Sequence, residues 1–94
     1  MNVMVEFNGV ARVVTGARQL PLNLNEGTTF RDLVRLLSVK FPTLIGQVIQ
    51  PDGATFYPSN LFNLNGKRMI QAAQMHESPQ DGDRIILMSV LAGG

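Results

Sequence analysis

Residues able to do chemistry are sparse in this sequence, and where they gather their spacing argues against catalysis. His76, Glu77 and Ser78 have the residue types of a hydrolytic triad. Adjacent positions in one loop do not converge on a reacting atom as triad members must, so a solvated loop is the better reading. Asp81 and Asp83 flank Gly82 and resemble the start of a calcium loop, yet the remaining oxygen donors are missing. Turn formation accounts for them. Arg31 and Arg35 lie four apart, a helical spacing suited to a phosphate or an acidic partner, but a solvated helix face explains them as well. There is no HExxH, GxGxxG or Walker loop. The chain has no cysteine, which excludes disulfides, a thiol nucleophile and thiolate metal sites. No catalytic residue and no metal-ligand set is expected, and no bound cofactor.

The C-terminus is different. An apolar stretch runs almost to the last residue and stops in Leu91-Ala92-Gly93-Gly94, with no polar tail after it. Glycine has no side chain to obstruct a narrow channel, and its backbone reaches conformations closed to other residues. Four extended residues span roughly 13–14 Å. The Gly94 carboxylate can therefore enter another protein's active site, with Gly93 and Ala92 supplying clearance. A carboxylate ionised at neutral pH, with an ordinary pKa of about 3.3–3.7, is a poor electrophile, so a partner must activate it. Adenylation by ATP would make a mixed anhydride open to attack by a sulfur or amine nucleophile.

The elements that must position this tail are legible from hydrophobic periodicity. Val3, Val5 and Phe7 alternate with Asn2, Met4 and Glu6, which predicts a first strand with one buried face. Leu20, Leu22 and Leu24 alternate with Pro21, Asn23 and Asn25 and predict a second strand, at a sheet edge because proline donates nothing to a ladder. A connection containing Asn8-Gly9 and Gly16 separates the two. From Thr28 to Phe41 the period changes: Phe30, Leu33, Val34, Leu37 and Phe41 make one helical stripe. Thr29 and Asp32 have capping-box spacing, and Pro42 discourages continuation. Residues 44–60 read as a half-turn of helix and a long loop. Phe62 and Leu64, then Asn65-Gly66 and residues 67–70, predict a hairpin. A final strand is expected from Ile85 to Leu91. The predicted core is Val3, Val5, Phe7, Leu22, Phe30, Leu33, Val34, Leu37, Ile85 and Leu87.

This order suits an α+β fold with a mixed sheet of four to five strands packed on one main helix. A right-handed helical crossover would lay the last strand parallel to the first, which is the ubiquitin-like β-grasp arrangement. The expected division is a domain over 1–90 and a flexible Gly-Gly tail over 91–94. Met4, Ile86 and Met88 alternate with core positions, so they should lie on the sheet face away from the helix and offer a partner-docking patch, methionine being adaptable at such surfaces.

Composition narrows the partners. A chain of 94 residues, 45% of them hydrophobic, is long enough for one modest core and buries somewhat over about 60% of its unfolded surface. Eight basic and seven acidic residues give a net charge of +1 with no basic run, so neither nucleic acid nor an anionic membrane is indicated. The longest apolar run is Ile85 to Met88, far short of the roughly 20 residues of a spanning helix. No secretory leader is evident, and a soluble cytoplasmic protein is expected.

The stretch Asp81-Gly82-Asp83-Arg84-Ile85-Ile86-Leu87, the apolar residues after it and the ending Ala92-Gly93-Gly94 resemble the ubiquitin-like sulfur carriers. These include the small subunit of molybdopterin synthase, the thiamine-pathway carrier and a cysteine-biosynthesis carrier. The resemblance extends loosely through the first strand, the helix with Asp32-Leu33 and the Asn63-Leu64-Asn65-Gly66 hairpin. It implies that a ubiquitin-activating-type enzyme adenylates Gly94, that the carboxyl becomes a thiocarboxylate, and that a synthase subunit accepts the sulfur. Two departures bear on the pathway. Ser89-Val90-Leu91 replaces the proline-containing approach common in molybdopterin-synthase subunits, and residues 44–60 are longer than in the shortest carriers. The thiamine carriers are usually much shorter, which ranks that pathway last. The alternatives are a protein modifier joined to lysines through Gly94 and an interaction module whose Gly-Gly is incidental; an enzyme in its own right comes after both. Only Lys40 and Lys67 are available as lysine acceptors on the chain itself.

Overall fold

The first strand, β1 (Asn2–Phe7), buries Val3, Val5 and Phe7 and turns the alternating residues outward, as its period-2 pattern requires. The structure, a computed structural model, describes residues 1–90; the 91–94 tail read from the sequence lies outside the described residues. β1 is followed by a short helix α1 (Val10–Thr15), β2 (Gln19–Asn23), the main helix α2 (Phe30–Lys40), a 3-10 turn at Pro42–Leu44, β3 (Asn60–Leu64), β4 (Arg68–Met69), a second 3-10 turn at Ala72–Gln74, and β5 (Arg84–Ser89). The five strands form one sheet in the order β2-β1-β5-β3-β4. β1 pairs antiparallel with β2 and parallel with β5, and β3 runs antiparallel to both β5 and β4. This is the β-grasp topology: β5, last in sequence, is hydrogen-bonded on both sides, and α2 closes one face.

Helix α2 starts where local chemistry tells it to. Thr29 is extended, its hydroxyl oxygen accepts from the Asp32 N–H at 3.0 Å, and an Asp32 carboxylate oxygen accepts from the Thr29 N–H at 3.0 Å. These reciprocal bonds satisfy two donors that a helix start otherwise leaves bare. They also hold the Asp32 carboxyl below its ordinary pKa, first through the Thr29 backbone bond and then through its side chain. A folded-state pKa below the unfolded one contributes stability above the unfolded value, about 3.9, and that contribution disappears as pH falls through the lowered folded value. Thr29→Ala should cost about 0.5–2 kcal/mol in a urea titration at neutral pH. The deficit relative to wild type should shrink in strong acid, where Asp32 is protonated and wild type loses the part of its advantage that comes from the Thr29 side chain stabilising that carboxylate.

Phe30, Leu33, Val34 and Leu37 are fully buried against Val3, Val5, Phe7, Ile85 and Leu87, as the periodicity predicts. Leu22 is a correction. It pairs with Val3 on edge strand β2 and stays half-buried, because that strand has only one neighbour to shelter it. Pro21 sits on this edge, where its missing donor costs nothing.

Three further departures have physical causes. The β1–β2 connection is not a plain loop: Val10, Ala11, Val13 and Val14 form a helical turn, closed by Gly16 in the left-handed conformation with its N–H on the Arg12 carbonyl. Residues 44–60 are better packed than a surface loop, since Leu44, Val48, Ile49 and Ala54 are buried and Ile49 bridges to both Ile45 and Phe56. Strand β4 is only Arg68–Met69, and β5 begins at Arg84 and ends at Ser89. The turn lies where expected, with Asn65 at φ 58° and Gly66 at φ 73° as its left-handed central pair and the Lys67 N–H on the Leu64 carbonyl at 3.0 Å, while the register Leu64↔Arg68 leaves Lys67 as an extra residue before β4.

Candidate functional site

The exit of the C-terminal segment is fixed by the centre of the sheet. β5 is registered on β1 from Met4↔Arg84 to Phe7↔Leu87 and on β3 from Leu64↔Ile85 to Asn60↔Ser89. Beyond the regular ladder the Val90 N–H donates to the Ser59 carbonyl at 2.7 Å, and the Ser89 hydroxyl donates to Asn60 Oδ1 at 3.1 Å. The Asn8 N–H bonds the Leu87 carbonyl at 3.0 Å. The backbone is thus held up to Val90, at the end of the sheet where β1 and β5 finish together. Ala92, Gly93 and Gly94 lie outside the described residues.

The face of the sheet away from α2 follows from the alternation. Ile85 and Leu87 belong to the core cluster, so Arg84, Ile86 and Met88 point the other way. By register, Met4 and Glu6 of β1, Leu61 and Asn63 of β3 and Met69 of β4 share that face. Met4, Ile86 and Met88 therefore lie together as predicted, but they are not equally accessible. Ile86, flanked by Glu6 and Asn63, is only 8% exposed, whereas Met4 and Met88 are half-buried and Met69 is 43% exposed. The accessible apolar surface comes mainly from the methionines and Leu61. The Arg84 guanidinium and Glu6 carboxylate pair across it at 2.9 Å. At its centre Asn63 Oδ1 is buried without a donor among the described residues.

The other chemistry-bearing residues take structural roles. The Glu77 carbonyl accepts from the Phe30 N–H at 2.9 Å, and its carboxylate lies 3.6 Å from Arg68, while His76 and Ser78 are exposed. No triad forms there. Asp81 accepts from the Asn2 N–H at 2.7 Å, and Asp83 accepts from the Gln80 N–H and from Asn65 Nδ2. Both carboxylates serve the turn, and no group of His, Cys, Asp or Glu among the described residues could hold a metal ion. Arg35 pairs at 3.7 Å with Asp32, both well exposed. Arg31 lines a cleft of about 260 Å³ with Phe56, Tyr57, Ile70, Gln71 and Met75, which no sequence period announced. Among the described residues no helix is long and apolar enough to cross a membrane.

A mixed five-stranded sheet that holds its last strand in the middle, with α2 packed on one face, is the ubiquitin-like β-grasp fold. Residues 5–94 match the ThiS family, and the chain belongs to it. Its fold is similar to that of the small archaeal modifier SAMP1 from Haloferax volcanii, at 20% identity, a TM-score of 0.80 and full coverage of both chains. It is also similar to a putative molybdopterin converting factor, subunit 1, from Pyrococcus furiosus (19% identity, TM-score 0.73, covering 96% of this chain and 98% of that one). A third similar chain comes from the BexX/CysO complex of Amycolatopsis orientalis (15% identity, TM-score 0.69, 98% and 99% covered). None of the curated protein sequences matches the chain.

Proposed function

We propose that this protein carries sulfur on its C-terminal glycine. The observation that carries the reading is the match to the ThiS family over residues 5–94, which runs through the Gly93-Gly94 ending. In the first step a Gly94 carboxylate oxygen attacks the α-phosphorus of ATP on a ubiquitin-activating-type enzyme, forming the acyl adenylate and releasing pyrophosphate. In the second a hydrosulfide equivalent attacks the carbonyl carbon, AMP leaves and the thiocarboxylate remains. The sulfur must come from outside this chain, which has no cysteine to carry it. The domain contributes no catalytic group: it presents the tail and a surface to dock.

The sulfur then passes to an accepting synthase subunit of a molybdopterin-type or cysteine-type pathway, in the cytoplasm where ATP is supplied. The likeness to a molybdopterin converting factor subunit and to a chain solved in a complex supports a partner of this kind. A second reading, a modifier joined to lysine amines through Gly94, has the SAMP1 likeness behind it. The same adenylate serves both, and the nucleophile decides between them.

Met4 and Met88 are the proposed docking residues for the activating enzyme, with Ile86 lying nearly covered between them at 8% exposure. Apolar side chains left accessible on a small domain, beside a buried acceptor with no donor, are costly for an isolated molecule and useful at an interface. Met88→Asp should weaken binding to the activating enzyme by about tenfold or more, the effect of some 1.4 kcal/mol, with unchanged thermal stability. Equal affinity in calorimetry would remove this face from the interface. The carrier reading itself is tested by mixing the protein with ATP and the purified activating enzyme of its own cell. Pyrophosphate release that depends on the carrier is the expected result, and none would refute it.

A further inference from the structure

The net charge of +1 hides a separation of charge along the strands. Arg12 lies on α1, which packs against β5 and the Pro42–Leu44 turn. The Arg18 carbonyl accepts from the Phe7 N–H at the end of β1. Lys40 closes α2, whose next residue, Phe41, meets the ring of Phe7 at 5.4 Å. The Thr43 hydroxyl donates to the Val14 carbonyl at 2.8 Å and ties α1 to the 3-10 turn that follows α2. Arg12, Arg18 and Lys40 therefore sit on segments that reach the end of the sheet from which the chain leaves at Val90. All three are exposed, and none is in an ion pair among the described residues.

The acids are elsewhere. Glu26 lies 3.9 Å from the Met1 amine, Asp81 caps the Asn2 N–H, and Asp83 binds Asn65 in the hairpin turn, all at the opposite end. Asp32 and Glu77 are paired with arginines, and Asp52 accepts from Ala54 and Thr55 in its own loop. Glu6, the acid nearest the exit, is held by Arg84.

We propose that Arg12, Arg18 and Lys40 form a cationic collar around the tail exit that meets carboxylates at the mouth of the activating enzyme's tail channel. This rests on the carrier reading above. The four residues after Val90 reach roughly 13–14 Å when extended, so an enzyme that grips Gly94 in its active site must bring its surface onto this end of the domain. Val10 and Val13, on α1 beside Arg12 and 44% and 81% exposed, supply apolar contact there. Charges at an interface rim act on encounter and register, and their effect fades as salt shortens the screening length to about 8 Å at 0.15 M.

The test is steady-state pyrophosphate release with ATP and the activating enzyme of the same cell, at low and high salt. Arg12→Glu and Arg18→Glu should each raise the KM for the carrier about tenfold at low salt, within the range that steering supplies, and leave kcat unchanged. High salt should narrow the difference. Lys67→Glu makes the same change of charge at the far end, in the β3–β4 turn, and should leave KM near the wild-type value. Matching melting temperatures show that all three variants fold. An unchanged KM in both arginine variants, or an equal rise in Lys67→Glu, would overturn the collar and leave the carrier reading intact. Failure of wild type to release pyrophosphate would overturn both.

Discussion

Deletion of Gly94 should abolish activation while leaving the domain as stable as wild type. Among the described residues the last one bonded to the sheet is Val90, whose N–H reaches Ser59, and residues beyond a final strand contribute little to a core. The melting temperature of the truncated protein should therefore match that of the full chain. Reactivity is a different matter, because the truncation draws the carboxylate back by roughly 3.5 Å at extended reach. A misplacement of about 1 Å already costs around a hundredfold in rate, so loss of activation should be at least that large. An alanine added after Gly94 should do equal damage by moving the carboxylate forward and placing a methyl group in the channel. Comparable pyrophosphate release from wild-type, truncated and extended proteins would show that the ending is incidental.

Phe62→Ala should be the most damaging single truncation in the core, at about 3–5 kcal/mol. Phe62 is fully buried on β3, and its ring lies 6.1 Å from that of Phe30 on α2 and 5.0 Å from that of Phe56. It thus joins three parts of the chain: the sheet, the main helix and the segment over 44–60. Typical domains are stable by only about 5–15 kcal/mol, so this one substitution can remove a large share. A guanidinium titration measures it directly. A loss below about 1 kcal/mol would mean that the 44–60 segment repacks around the gap and that Phe62 does not hold it.

The parts of the fold that were legible in the sequence are those specified by neighbours along the chain. Alternation at Val3, Val5 and Phe7, the stripe from Phe30 to Leu37, the Thr29-Asp32 box and Asn65-Gly66 each encode local geometry, and each appears where expected. Helix α1 leaves no signal in the sequence, because six residues contain too few turns to show a period and its flanking Gly9 and Gly16 look like turn signals. Gly16 in fact supplies the left-handed cap. The burial of Leu44, Val48 and Ile49 was also hidden, since their partners come from distant strands and leave no periodic trace. Phe62 was read as strand but not as core for the same reason.

The candidate site divides similarly. The Gly-Gly ending and the outward placement of Met4, Ile86 and Met88 follow from residue type and alternation alone. What alternation could not show is that Glu6 and Asn63 close in on Ile86 and leave it nearly inaccessible. The collar was invisible because Arg12, Arg18 and Lys40 are scattered in sequence and come to one end of the sheet only through the parallel β1–β5 pairing and the return of α2. A sequence with balanced charge looked electrostatically featureless, and the topology brings three of its cations to one end.

The central claim, that Gly94 carries sulfur, is tested most directly by the intact mass of the untagged protein purified from its own cell without reducing or alkylating treatment. The account predicts a population heavier than the unmodified chain by the difference between one sulfur and one oxygen atom, with the added mass confined to the C-terminal fragment on tandem analysis. It also predicts that this population vanishes when the activating enzyme is deleted. A protein found only at its unmodified mass, or only as a conjugate on lysines of other proteins, would contradict it.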